Sequence, residues 1–320
     1  MGRKALTRDK SCQARRRCLT ASLPTGVGRA LDRGQTRHCR GTIAVADLRY
    51  VIWHNINAGE TMTATQFLDT DTGRRLAYHL TPASGDATAP VVVFLGGLKS
   101  DMEGTKAIHL EAWAQARGLG FLRFDYSGHG ESSGTFEEGC IGDWHQDTLA
   151  AVQALTTGKI IPVGSSMGGW QALLLARTLP ERVAGLVTIA AAPDFTEDGY
   201  WANFTDAQKA ELETRGQVEL PSDYMEPYVI TKRMIEDGRD HLVLRDPLTL
   251  PMPVRCLQGT ADTAVSTETA LRLLDHASCA DMRLQLVKDA DHRFSDPACL
   301  ALIETAVAEV LGLSGTDGIS

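Results

Sequence analysis

Short apolar runs alternate with helical patterns along most of the chain, from about Thr63 onward. Val91–Leu95 is a continuous apolar run that ends at two glycines, which is typical of a strand buried on both faces. Asp143–Leu155 and Pro297–Leu311 instead repeat apolar residues at helical spacing, which predicts helices. This alternation indicates a largely parallel sheet covered by helices.

The same reading predicts the remaining elements. The other strands are expected at Thr65–Leu68, Arg75–Leu80, Gly120–Phe124, Lys159–Val163, Val183–Ala191, Arg255–Gln258 and Arg283–Val287, with the first two forming a hairpin. Further helices are expected at Thr105–Arg117, at Gly168–Leu179 and between the last two strands. We therefore predict an α/β fold with a mostly parallel eight-stranded sheet flanked by helices.

One stretch interrupts this rhythm. Ala192–Pro253 contains no clear sheet strand and is rich in Asp, Glu and Tyr. A structureless loop of that length is unusual in a compact domain. We predict a small helical lid insertion at residues 194–250, between core segments 61–193 and 251–315.

Charge divides the chain unevenly. The net charge is −8, although residues 1–60 carry 12 Lys and Arg against 4 Asp and Glu. An acidic protein argues against a nucleic-acid partner, which would favour a basic face. Because no apolar run reaches the roughly 18 residues that span a bilayer, we expect no transmembrane segment.

Residues 1–60 show no convincing hydrophobic period, and we predict a disordered or peripheral basic extension. Two interpretations remain open: an Arg-rich organelle transit peptide, or an over-long start whose natural beginning lies near Met62. Few serines and interspersed acidic residues favour the second. We therefore expect a cytoplasmic protein, with a mitochondrial location as the alternative if the extension is a transit peptide.

The strongest chemical signal is Gly164-Ser165-Ser166-Met167-Gly168, which lies between a predicted strand and a predicted helix. A tight strand-to-helix turn needs small residues around its central serine and projects the hydroxyl from the sheet edge. Ser166 is therefore the candidate nucleophile. Ser165 is the competing serine, and a plain glycine turn is the alternative interpretation.

A serine hydroxyl is a poor nucleophile without a base. His292 follows the last predicted strand, where a loop at the carboxyl edge of the sheet would bring an imidazole to Ser166. His129, on another loop at that edge, is the alternative base. We expect no metal, since no His, Cys and carboxylate residues have ligand spacing.

Asp262 comes directly after the strand Arg255–Gln258 and is the candidate acid that fixes the tautomer of the histidine. Asp289 and Asp291 are closer to His292 in sequence, but neighbours on a loop rarely face the same ring nitrogen. The backbone amides of Leu98 and Met167 are the expected oxyanion donors. Neither a cofactor nor a metal enters this chemistry.

With these residues placed, the chain from about Thr63 to Leu313 resembles the α/β-hydrolase superfamily, which places its nucleophile, acid and base in this chain order. More closely, it is similar to the branch of mitochondrial palmitoyl-protein thioesterases that also hydrolyse acyl glucuronides. The matching stretches are FLGGLKSDMEGTKA (94–107), RFDYSGHGESSG (123–134), VGSSMGGW (163–170) and DADHR (289–293). The resemblance implies a serine esterase or thioesterase that acts on small-molecule or acylated-protein substrates.

Other functions remain open on the same residues. A carbon–carbon bond hydrolase or a lipase-like esterase would use the same triad, and a non-catalytic ligand-binding protein could share the scaffold. The predicted lid is rich in aromatic residues, namely Phe195, Tyr200, Trp201, Phe204, Tyr224 and Tyr228. We expect Trp201 and Phe204 to line an acyl pocket; the alternative is that they pack the interior of the lid.

Overall fold

The computed structural model of the chain describes residues 64–221 and 227–313. Within them, strands β1–β12 are Gln66–Asp69, Arg75–Thr81, Val91–Leu95, Phe121–Phe124, Ile160–Ser165, Leu186–Ile189, Gln217–Leu220, Tyr228–Thr231, Leu248–Thr249, Val254–Gly259, Ala277–Ser278 and Met282–Val287. Helices α1–α7 are Thr105–Ala116, Ile141–Leu155, Met167–Thr178, Asp206–Arg215, Lys232–Arg239, Thr267–His276 and Pro297–Leu311. A 3-10 helix at Phe136–Glu138 and a π-helix at Phe195–Trp201 complete the set.

Eight of the strands form one sheet in the order β1-β2-β4-β3-β5-β6-β10-β12. Strand β2 pairs antiparallel with β1 and β4, whereas every other pair in this sheet is parallel. The prediction of a mostly parallel eight-stranded sheet is therefore confirmed. Because the parallel strands share one carboxyl edge, the loops that follow β3, β5, β10 and β12 meet there.

Helices cover both faces of the sheet. Val92 and Phe94 pack into one apolar cluster with residues of α1 and α7, while Val93 and Leu95 pack into a second cluster with residues of α2 and α3. This division follows from the strand period of two, which turns alternate side chains to opposite faces. The continuous apolar run of β3 is thus explained by burial on both faces.

The stretch between β6 and β10 contains the π-helix, α4, the antiparallel hairpin β7–β8, α5 and β9. The two ends of this stretch are joined by the buried carboxylate of Asp194, which accepts hydrogen bonds from the amides of Val243 (2.8 Å) and Leu244 (3.0 Å). Pairing of Asp194 with Arg245 at 3.2 Å adds to this closure. The assignment of residues 194–250 as a lid remains a prediction, and the hairpin inside it has no counterpart in the sequence analysis.

Several predicted boundaries shift. The strand expected over Val183–Ala191 is shorter, since Ala190 has a left-handed φ of 47° that ends the extended backbone after Ile189. The predictions for residues 1–60 and for a start near Met62 lie outside the described residues. In the described part of the chain, no helix combines the length and the apolar character needed to cross a membrane.

Candidate active site

The central serine sits on a strained turn. Ser166 links β5 to α3 with φ 56° and ψ −119°, a conformation that L-residues rarely adopt. A Cβ on Gly164 would lie 2.1 Å from the carbonyl oxygen of Gly168, and one on Gly168 would lie 2.0 Å from that of Leu95. Both glycines of the motif are therefore required sterically, and the strained position between them is occupied by the serine.

Three side chains from three loops meet at this turn. The Nε2 atom of His292 lies 3.1 Å from Oγ of Ser166, and its Nδ1 atom lies 2.8 Å from Oδ2 of Asp262. The Asp262 side chain is fully buried, whereas that of His292 is 31% exposed. A hydroxyl, an imidazole and a carboxylate thus form one hydrogen-bonded chain, the arrangement that activates a serine nucleophile.

Asp262 is built to remain ionised. Burial opposes its charge, but hydrogen bonds from His292 and from the amides of Val265 and Ala264 outweigh that penalty and hold its pKa below the ordinary value. The amides donate to Oδ1 at 2.8 and 2.9 Å, which leaves Oδ2 facing the imidazole. The carboxylate is therefore charged wherever an imidazole titrates, and it favours the tautomer with a proton on Nδ1.

Two supporting residues escaped the sequence analysis. The side-chain Nε2 atom of Gln258, which is buried near the end of β10, donates to Oδ2 of Asp262 at 3.0 Å. A Cβ on Gly259 would lie 2.2 Å from the carbonyl oxygen of Ala290, so this glycine lets the loop that carries His292 approach β10. Neither residue belongs to a recognisable motif, because each acts only through a contact with a distant segment.

The competing candidates occupy other positions. His129 is 4% exposed, and its ring packs edge-on against Tyr126, Phe136 and Trp144. Its Nδ1 atom faces the carbonyl oxygen of Ser127 at 3.1 Å, and burial lowers its pKa. This histidine is thus part of an aromatic cluster, and the hydrogen bond to Ser166 comes from His292 instead.

The other rivals of the triad are engaged elsewhere too. Ser165 is buried as the last residue of β5, where it pairs with Ile189. Oδ1 of Asp291 accepts a hydrogen bond from the amide of Phe294, and the amide of Asp289 donates to the hydroxyl of Thr260. The ring nitrogen of His292 is instead met by Asp262.

The loop after β3 lies beside the nucleophile. A Cβ on Gly97 would lie 3.4 Å from the Cβ atom of Ser166, so the backbone that leads to Leu98 passes close to the hydroxyl. The amide of Met167, the first residue of α3, has no acceptor within its own helix. These positions support both amides as the oxyanion donors that the sequence predicts.

The two aromatic residues expected to line a pocket have different surroundings. Phe204 is buried and stacks on Tyr200 with ring centroids 6.2 Å apart. Trp201 is partly exposed and lies under the cationic groups of Lys209 and Arg239. In the described residues, no ring contact or hydrogen bond joins either one to the triad, so their role in substrate binding remains a prediction. Tyr224 lies outside the described residues.

One side chain connects the loop after β3 with the insertion. Lys99 follows Leu98 with a left-handed φ of 55°. Its ammonium lies 4.7 Å from the ring centroid of Phe136 and 5.3 Å from that of Tyr228 in β8. Cation–π contacts of this kind are attractive. They place strand β8 of the insertion next to the predicted oxyanion loop.

A metal ion in the described residues would require a cluster of side chains that could bind it. Within residues 64–221 and 227–313, no group of three or more His, Cys, Asp and Glu residues has a geometry that could hold a metal ion. The four cysteines in this part of the chain are free thiols. The chemistry described above depends only on the hydroxyl, the imidazole, the carboxylate and backbone amides.

Comparison with known proteins gives the same fold. A family model described as the alpha/beta hydrolase fold matches residues 90–240. A solved hydrolase from Agrobacterium vitis S4 superposes with a TM-score of 0.74 and 38% identity, covering 78% of this chain and 98% of its own. Sheet, turn and hydrogen-bonded side chains together define a hydrolase of this class.

Curated relatives narrow the class. The palmitoyl-protein thioesterase ABHD10, mitochondrial, of Bos taurus is 34% identical over 228 residues, covering 70% of this chain and 73% of its own. The solved structure of alpha/beta hydrolase domain-containing protein 10 from mouse superposes with a TM-score of 0.71 and 30% identity, covering 78% of this chain and 99% of its own. The chain belongs to the α/β-hydrolase family, in the branch that contains ABHD10.

Proposed function

We propose that this hydrolase cleaves carboxylic esters or thioesters through a covalent acyl-enzyme formed on Ser166. One observation carries the proposal, namely the hydrogen-bonded chain from the Ser166 hydroxyl through His292 to Asp262. An intact triad of this kind favours an enzyme over a non-catalytic ligand-binding protein on the same scaffold. The thioesterase names of the relatives support the same reaction class.

The proposed reaction assigns a role to each residue of the site. Nε2 of His292 takes the hydroxyl proton as Oγ of Ser166 attacks the acyl carbonyl, and the amides of Leu98 and Met167 stabilise the resulting oxyanion. The bond to the alcohol or thiol then breaks, and His292 returns the proton to the leaving group. Water then attacks the acyl-enzyme while His292 takes a proton from it. His292 passes this proton to Oγ of Ser166, which releases the acid and restores the serine hydroxyl.

The substrate class follows from the relatives and from the insertion. ABHD10 proteins are named palmitoyl-protein thioesterases, which supports acyl thioesters of cysteine as substrates of this chain. Acyl-glucuronide esters are a second substrate class implied by the resemblance. Strand β8 approaches the predicted oxyanion loop through Lys99 and Tyr228, which supports an insertion that borders the acyl-binding side of the site.

Trapping the intermediate tests the proposed mechanism. Brief incubation with an acyl thioester, followed by acid quench and peptide mass spectrometry, is expected to show one acyl group on the peptide that contains Ser166. The acyl group should resist neutral hydroxylamine, which cleaves thioesters, and should be released by alkaline hydroxylamine, as an oxygen ester is. Turnover with the acyl group found only on a cysteine would contradict the proposal.

Acyl chain length should govern the rate. If aromatic residues of the insertion line the acyl pocket, longer thioesters gain up to about 0.8 kcal/mol per buried methylene. We therefore expect kcat/KM to rise from acetyl to medium and long acyl thioesters. Trp201→Ala and Phe204→Ala should flatten this series while sparing acetyl turnover.

The control is Phe67→Ala, which removes an exposed aromatic ring from β1 at the far edge of the sheet. This variant should keep the wild-type series. Equal kcat/KM for acetyl and long-chain thioesters in the wild type would refute the pocket. A lowered melting temperature with an unchanged series would instead show that Trp201 and Phe204 pack the interior of the insertion.

The location of the protein is a separate proposal. Relatives that carry the word mitochondrial in their names favour the transit-peptide interpretation of residues 1–60 over a cytoplasmic enzyme. A fluorescent reporter fused to residues 1–60 should then enter mitochondria and lose the extension. A chain that begins at Met62 should keep the wild-type kcat and melting temperature. A reporter that stays in the cytoplasm would favour an over-long start instead.

A further inference from the structure

A lysine outside the triad contacts the loop that carries the base. Nζ of Lys106 donates a hydrogen bond of 2.5 Å to the carbonyl oxygen of Arg293, across 187 positions of sequence. Arg293 directly follows His292. Lys106 lies in the run Ser100–Ala107, whose residues the triad mechanism does not use. The contact therefore links this run to the base.

Lys106 is unfavourable for the stability of helix α1. It occupies the first turn of α1, where a positive charge opposes the helix dipole. That helix start has no side-chain cap and no acidic residue in its first turn. Partial burial of the ammonium lowers the pKa of Lys106, with a neighbouring charge from Asp291 in opposition. A residue that breaks local rules in this way indicates a function elsewhere.

The start of α1 is anchored to the sheet. Just before the helix, the amide of Met102 donates to Oδ1 of Asp125 at 2.7 Å, and its carbonyl oxygen accepts from Arg123 at 3.1 Å. Both partners belong to β4 or the loop after it. Lys106 therefore projects from a fixed platform, so its ammonium can define a position for whatever it contacts.

The base loop, residues 288–296, carries His292 and is held by contacts on more than one side. Toward β10 it is held by the amide of Ala261, which donates to the carbonyl oxygen of Ala290 at 3.0 Å. A surface cavity of about 330 Å³ borders the same loop and is lined by Asp289, Ala290, Asp291, Arg293, Ser295 and Asp296. Phe294, two residues after His292, has a left-handed φ of 51°. Such a conformation persists only where the surroundings enforce it, and here Phe294 is fully buried while Lys106 bonds the residue just before it.

We propose that Lys106 is a positioning residue for the base: by binding the carbonyl oxygen of Arg293, it holds the imidazole of His292 within reach of Ser166. Lys106 touches neither the substrate nor the reacting atoms. This inference rests on the proposed function, since it assigns a role to the loop of the catalytic histidine. Its effect is expected on the chemical step, because a displacement of about 1 Å can reduce a rate on the order of a hundredfold.

The test is Lys106→Met in the full chain, which keeps the aliphatic stem and removes the donor. We expect kcat on an acetyl thioester to fall about tenfold to a hundredfold, with KM within about threefold of the wild type. Labelling of Ser166 by a fluorophosphonate should slow by the same factor as kcat. The labelled fraction at long times should stay complete, and the melting temperature should not fall.

A matched control is available in Lys159, whose Nζ donates to the carbonyl oxygen of Glu181 at 2.6 Å away from the site. Lys159→Met removes the same type of contact and should leave kcat and the labelling rate unchanged. Lys106→Gln, which keeps a neutral donor, should retain more of kcat than Lys106→Met and serves as the test if the methionine variant fails to fold.

The outcomes separate the two proposals. A wild-type protein that is not labelled at Ser166 would overturn the proposed function itself. If the wild type is labelled but a folded Lys106→Met keeps kcat within twofold, only the role of Lys106 is overturned. The same holds for a folded Lys106→Gln where methionine prevents folding. A loss explained by a smaller labelled fraction at an unchanged rate would also overturn that role.

Discussion

Replacing Ser166 with alanine is expected to lower kcat on an acyl thioester on the order of 10⁴- to 10⁶-fold, because the reaction loses its nucleophile. Among the described residues, the serine hydroxyl is bonded to His292 alone. The turn itself is held by backbone contacts, since the amide of Ser166 donates to the carbonyl of Ile189 and its carbonyl accepts from the amide of Ala192. The fold should therefore persist. Steady-state kinetics and thermal unfolding of the purified variant measure both effects.

The neighbouring serine provides the control for this variant. Ser165→Ala changes a buried strand residue in β5 and should retain most of the activity. A fluorophosphonate should label Ser166 in the Ser165→Ala variant and no residue in the Ser166→Ala variant. If Ser166→Ala kept a tenth of the wild-type kcat, or if Ser165 carried the label, the nucleophile would be misassigned.

Asp262→Asn is expected to lower kcat about 10⁴-fold without unfolding the protein. Asparagine has the same shape, and its oxygen can keep the two bonds from the amides of Ala264 and Val265. The side-chain NH₂ group then faces Nδ1 of His292, which must become an acceptor. The ring proton moves to Nε2, where it blocks transfer from Ser166. Kinetics on an activated ester would measure this loss.

The acidic residues beside His292 give matched controls for this substitution. Asp289→Asn and Asp291→Asn each remove one negative charge from the loop that carries His292, just as Asp262→Asn removes one from the loop after β10. Both should keep kcat within about tenfold of the wild type. A loss in Asp291→Asn equal to that in Asp262→Asn would show that the loop carboxylate, and not Asp262, orients the imidazole.

Backbone strain concentrates around the proposed chemistry. Among the described residues, the non-glycine positions with left-handed φ are Lys99, Ser166, Ala190, Asp194, Asp289 and Phe294. All of them follow a strand at the carboxyl edge of the sheet or lie within three residues of His292. Such conformations persist only where the surroundings enforce them. The surroundings therefore enforce the conformation of this edge, which suits a triad whose hydrogen bonds must stay aligned.

The sequence pattern predicted the sheet well because β-strand and helix periods are local properties. Val91–Leu95 was predicted from its continuous apolar run ahead of two glycines and forms a central strand with the predicted bounds. The insertion was harder, since hairpin β7–β8 has only four residues in each strand and belongs to a separate two-stranded sheet. Short strands lack the length over which a period can be recognised.

The sequence by itself determined the residue types of the site and their place along the fold. Gly-x-Ser-x-Gly between a strand and a helix predicted Ser166 as the nucleophile. The loops after two later strands predicted Asp262 and His292 as its partners, since parallel strands deliver such loops to one edge. Only the tertiary structure showed that His292, and not His129, contacts the Ser166 hydroxyl, because both histidines follow strands of the same sheet. It also brought Gln258 and Lys106 to the site. Their contacts join segments far apart in the chain, and no local pattern records a contact of that kind.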